Sequence, residues 1–84
     1  MNINVLENQI DRELEALIGN EYAFTVDLTE ENLEVEVLCG DGIFMANNDI
    51  ILVQNVLVGK GFNCHNVKCY EVAGELLTSL YFYY

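Results

Sequence analysis

Residues 22–38 read YAFTVDLTEENLEVEVL, and this run decides the fold. Tyr22, Phe24, Val26 and Leu28 alternate with Ala23, Thr25 and Asp27. Leu33, Val35 and Val37 then alternate with Glu34, Glu36 and Leu38. Successive side chains on a strand point to opposite faces, so each run predicts a strand with one buried and one wet face. Thr29-Glu30-Glu31-Asn32 between them reads as a hairpin turn.

On the N-terminal side, Leu6, Ile10, Leu14, Leu17 and Ile18 recur at helical spacing. Asn4 with Glu7 three residues later has the spacing of a capping box, and Gly19 supplies a stop. The expectation is an amphipathic helix over residues 4–18, with Glu7, Asp11, Arg12 and Glu15 towards solvent. On the C-terminal side, Gly40-Asp41-Gly42 turns the chain and Ile43 to Ala46 predicts a short third strand. Residues 50–58 are two-sided: β-branched content favours a strand, while Asn47, Asn48 and Asp49 as caps and the terminal Gly59 favour a helix. The capping signals decide for a largely buried helix. Val67, Cys69 and Tyr70 predict a strand, Val72 to Glu75 a turn, and Leu76 to Tyr84 a final strand. A helix over residues 71–80 competes, since Val72, Leu76 and Leu80 are four apart. The expected fold is α+β, a single domain over residues 1–84 in the order α-β-β-β-α-β-β, with an antiparallel sheet and both helices on one face.

With 84 residues, of which 52% are hydrophobic, the chain can bury one modest core. Dimerisation would add burial to it. No run reaches the roughly 18 apolar residues of a membrane span. The opening MNINVLENQIDRE lacks the basic cluster and apolar run of a secretory leader. Three cysteines, Cys39, Cys64 and Cys69, are an odd number, which favours a reducing cytoplasm over a disulfide scaffold.

Charge is the strongest signal. Fourteen acids face three bases, for a net charge of −11. Residues 1–49 hold twelve acids and one base, and residues 50–84 hold two of each. Such a field repels nucleic acid and anionic membranes and attracts basic surfaces. Asp27, Glu34 and Glu36 share the wet face of the hairpin, with Glu30 and Glu31 at its turn. Carboxylates repeated along a strand can stand in for backbone phosphates before an Arg- and Lys-rich groove, although a solvated sheet face carries acids too.

Other chemistry finds little support. Gly40-Asp41-Gly42 lacks the ligand ladder of a calcium loop. Cys64, His65 and Cys69, with Cys39 as a fourth ligand, do not have the spacing of a zinc knuckle. One histidine, no nucleophile triad and no phosphate loop argue against an enzyme, and no cofactor is expected. The tail Leu80-Tyr81-Phe82-Tyr83-Tyr84 places Leu80, Phe82 and Tyr84 on one strand face and Tyr81 and Tyr83 on the other. Tyrosines left on an open face would favour binding, burial of both sets in the monomer is the equal alternative, and an edge strand here would pair with a second copy.

In its opening MNIN and helix, its acidic strands YAFTVDL and LEVEV, and its lack of a catalytic set, the chain resembles the small acidic proteins with which bacteriophages disable host defences, anti-CRISPR inhibitors of Cas effectors among them. The resemblance implies an inhibitor that acts in the host cytoplasm on a basic nucleic-acid-binding protein such as a Cas effector, without binding nucleic acid itself. The charge map assigns that role to Asp27, Glu30, Glu31, Glu34 and Glu36, supported by Glu7, Asp11 and Glu15. The alternative is a non-catalytic assembly module that dimerises or docks through Tyr81, Tyr83 and Tyr84.

Overall fold

The computed structural model describes residues 2–39 and 42–84. Helix α1 (Ile3–Ile18) leads into the hairpin of β1 (Tyr22–Leu28) and β2 (Asn32–Cys39). Helix α2 (Asn47–Gly59) follows, and then the hairpin of β3 (Asn63–Val72) and β4 (Glu75–Tyr83). The four strands form one antiparallel sheet in the order β1-β2-β4-β3. The class is α+β as the sequence predicts, with the order α-β-β-α-β-β.

Alternation fixes which face is which. Leu33, Val35 and Val37 of β2 and Thr78, Leu80 and Phe82 of β4 point to the helix side. There the apolar side chains among them form one buried core with Ile10 and Leu14 of α1 and Val53 and Leu57 of α2. The opposite face, bearing Asp27, Glu34, Glu36, Tyr81, Ser79, Lys68 and Tyr70, has no helix over it.

Local chemistry corrects several expectations. Asn2, rather than Asn4, caps α1: its side chain accepts from the amides of Asn4 and Val5 at 3.0 and 3.4 Å. The helix therefore starts one residue early, and Glu7 is free for another use. Ile43 to Ala46 is a loop: only Met45 of that run is buried, and none of the four residues joins the sheet ladder. In the predicted turn before it, Gly40 and Asp41 lie outside the described residues, while Gly42 has a φ of 70°. Residues 50–58 are helical, but Ala46 is the N-cap and makes no side-chain capping bond. Nor is α2 largely buried: one side of it, with Ile51, Leu52 and Val58, faces outward. The competing helix over residues 71–80 is absent, because Ala73 and Gly74, at φ 52° and 84°, close a tight turn between β3 and β4. Positive φ at both turn residues matches the right-handed twist of a hairpin.

The C-terminal strand is not an edge. β4 lies between β2 and β3, with backbone partners on both sides, so it cannot pair with a second copy. The free edges belong to β1 and β3, and each has an outward amide occupied by a side chain. Leu28 N donates to Glu7 Oε2 at 3.0 Å, and Val67 N donates to Asn66 Oδ1 at 2.9 Å. A register shift at His65, between Cys64 and Asn66, further breaks the β3 edge. Occupied amides and bulges are how sheet edges resist unwanted strand pairing.

Candidate partner-binding surface

The register arranges the helix-free face in rows that cross all four strands. Asp27 lies opposite Glu34, Glu34 opposite Tyr81, and Tyr81 opposite Asn66. The next row is Thr25, Glu36, Ser79 and Lys68, and the one after it Ala23, Leu38, Leu77 and Tyr70. The face thus runs from two carboxylates and an aromatic ring at the β1–β2 turn end to an apolar row at the other end. Beyond the first row, the exposed Glu30 and Glu31 sit in a turn held by Thr29. Its backbone amide donates to the Asn32 carbonyl at 2.9 Å, and its hydroxyl accepts from the Asn32 amide at 3.0 Å.

The acids are not equivalent. Glu36 accepts a hydrogen bond from the Tyr70 hydroxyl at 3.2 Å, and that hydroxyl also lies 2.8 Å from Ser79 Oγ. Tyr70 thus reaches across β4 and leaves Ser79 fully buried although it is on the helix-free face. The Ser79 bond pulls the Tyr70 hydroxyl down, but burial together with the Glu36 carboxylate outweighs it and the pKa is raised. Among the described residues Asp27 and Glu34 have no such partner. Among the described residues the single ion pair is Lys60 with Glu13, on the helix side, at 2.7 Å.

The supporting acids of α1 divide in the same way. Glu7 does not face open solvent: it is half-buried and holds the Leu28 amide. Asp11, one turn on, shares a shallow depression of about 160 Å³ with Glu7, Phe24, Thr25 and Val26. Glu15, a further turn on, lines a second one with Tyr22, Ala23, Phe24 and Leu38. The i, i+4, i+8 spacing therefore lays carboxylates along the free edge of β1, around the corner from Asp27. Helix and hairpin acids make one continuous surface wrapped over that edge.

The tail tyrosines join this surface only in part. Tyr81 is half-buried on the helix-free face, with the Lys68 ammonium 5.7 Å from its ring centre. Tyr83 shares that face, is exposed, and meets the His65 ring edge-on at 6.1 Å. Tyr84 leans to the other side, where its ring lies 4.9 Å from that of the buried Phe62. The acids and Tyr81 are thus next-door neighbours on one face and do not belong to separate surfaces.

Tyr70, Ser79 and Lys68 complete the face, and strand alternation within residues 67–70 alone does not reveal them. The Ala73-Gly74 turn is the usable signal: pairing Val72 with Glu75 forces Tyr70 opposite Leu77 and Lys68 opposite Ser79. The cysteines stay apart in role. Cys39 is buried, Cys64 and Cys69 are exposed, and Cys39 and Cys69 each lie within 3.9 Å of the Thr78 hydroxyl. Among the described residues no three His, Cys, Asp or Glu side chains converge to hold a metal, and no helix is long and apolar enough to cross a membrane.

Compared with protein-family models, curated proteins and solved structures, the chain matches none.

Proposed function

We propose that this protein is a binding inhibitor: it docks its acidic helix-free face against a basic nucleic-acid-handling protein, of which a Cas effector is the type, where nucleic-acid backbone would otherwise lie. The observation that carries the reading is the directly opposed, uncompensated pair Asp27 and Glu34 beside Tyr81. Like charges at facing strand positions cost the fold roughly 0.2–1 kcal/mol. An arginine or lysine brought by a partner relieves that cost and gains a charge-assisted hydrogen bond. Glu30 and Glu31 extend the anionic line past the turn, Asp11 and Glu15 extend it around β1, and Tyr81 supplies rigid contact area at its centre. Glu7 and Glu36 are held by Leu28 and Tyr70, and their first role is structural.

The tyrosines favour the same face over a separate assembly role, because β4 is interior to the sheet and offers its side chains but not its edge. The reading is tested by capture from a nuclease-treated bacterial lysate with a salt gradient, using wild type and the Asp27→Lys, Glu34→Lys double variant. The expected result is one basic partner, displaced by its nucleic acid, released by moderate salt, and bound at least about tenfold more weakly by the variant. A partner held equally well by the doubly reversed face would overturn the proposal, as would salt-resistant binding.

A further inference from the structure

Helix α2 is apolar on two sides. Val53 and Leu57 are fully buried against the sheet, yet Ile51, Leu52 and Val58 are 51%, 41% and 52% exposed. The preceding loop adds exposed Ile43 and Phe44. Lone exposed apolar residues are ordinary, but a group of them along one short helix marks an interaction site.

The composition of this outward side narrows the occupant. Asp49 is the only ionisable residue between Asn47 and Gly59, and it turns inward to accept the Tyr22 hydroxyl at 2.6 Å. The outward side therefore presents Asn48, Ile51, Asn55 and Val58 at spacings of three, four and three, with Leu52 and Gly59 beside them. Ile51 and Val58 are one heptad apart, as along the seam of two packed helices, and Asn55 stands between them where a polar residue fixes register at a cost in stability. A symmetric dimer places one patch against itself, so a charged patch would repel its own copy. On a chain of net charge −11, this helix side carries no carboxylate of its own, and Glu13 of α1, which borders it beside Val56, is paired with Lys60, so a second copy meets less repulsion here than at the acidic faces. A basic partner finds no anion there to pair with.

We infer that the outward side of α2 is a self-association surface, on which two copies pack antiparallel about Asn55, leaving both acidic faces outward and free. This goes beyond the proposed inhibitor reading and does not depend on it. A 13-residue helix is about 20 Å long. One helix pair buries less than the roughly 800 Å² per partner of stable complexes, which places the dimer among weak, concentration-dependent associations.

The test is sedimentation of the full chain from about 10 μM to 1 mM, in low and high salt, together with amide NMR shifts on dilution. The expected result is a reversible dimer whose concentration-dependent shifts centre on Asn48–Gly59. It tightens with salt, because screening removes repulsion between the acidic halves, and that is the opposite sign to binding a basic partner. Ile51→Lys or Val58→Lys, at exposed positions, weakens it at least about tenfold. Should a lysine variant unfold, the shift map of the wild type decides. A chain that stays monomeric at 1 mM in high salt overturns the inference, and leaves the helix side open to a different apolar partner. A dimer whose shifts map to the β3 edge or to the acidic face overturns it as well.

Discussion

The two halves of this small fold solve the same packing problem with different chemistry. Residues 2–39, forming α1, β1 and β2, carry ten acids and Arg12. Residues 42–84, forming α2, β3 and β4, carry three acids and two lysines. In the first half every element is amphipathic, and charge marks the wet side. In the second, α2 is apolar on both sides and β3 is mostly exposed although it is largely uncharged. Both halves deliver residues to one core, so burial alone does not distinguish them. What differs is the surface each leaves outside: one is densely anionic and the other is nearly neutral.

The comparison breaks most sharply under truncation. Leu80, on a central strand of the second half, is fully buried, and Leu80→Ala should cost about 2–5 kcal/mol, enough to unfold much of an 84-residue domain at room temperature. Leu52→Ala, in the same half and with the same chemistry, should stay within about 0.5 kcal/mol at concentrations where the chain is monomeric. Urea titration of both variants measures the difference. Equal losses would mean that the outward side of α2 is packed against something in the folded monomer.

Legibility from sequence follows the same division. In the β1–β2 hairpin each apolar residue has a charged or small neighbour, so period two is visible and the two strands and their turn lie where the alternation puts them. In residues 43–58 apolar residues occupy inward and outward positions alike. Periodicity there cannot separate a buried helix from a half-exposed one, and Ile43 to Ala46 passes for a strand. The position of β4 inside the sheet was also hidden, because no local pattern in residues 75–83 says which strands will lie on either side of it. Among the acids, charge alone singles out a candidate surface without separating its members. The separate fates of Glu7 and Glu36 depended on Leu28 and Tyr70, which lie 21 and 34 residues away.

That separation can be measured within the acidic half itself. Glu7 and Glu15 lie two turns apart on α1, but only Glu7 holds a backbone amide of β1. Glu7→Ala should cost about 1–2 kcal/mol and speed hydrogen exchange at Leu28, with Glu7→Gln recovering part of the loss because its amide oxygen still accepts. Glu15→Ala should lie within about 0.5 kcal/mol of wild type. Were the two alanine variants equal, Glu7 would return to the solvated set and the β1 edge would be open.

The smallest effect tests the seam between the halves. The Tyr22 hydroxyl of β1 donates to Asp49 of α2 at 2.6 Å and accepts from the Ala46 amide at 3.4 Å, which ties the acidic hairpin to the start of the neutral helix. The Asp49 hydrogen bond, followed by burial, raises the Tyr22 pKa above its ordinary value of 10.0. A phenol that keeps its proton longer in the folded state than in the unfolded one lends stability that is fully present below the unfolded value. That stability is lost as pH rises through the folded value. Wild type should therefore lose stability from about pH 10 upward, whereas Tyr22→Phe, about 1 kcal/mol less stable at pH 7, should fall less steeply over that window. Tyr70 is raised too and contributes in the same direction, so Tyr22→Phe with Tyr70→Phe should flatten the curve further. Urea midpoints at pH 8 and pH 10.5 provide the comparison. Parallel losses in wild type and in the double variant would mean that neither phenol holds the two halves together, and that the core alone joins them.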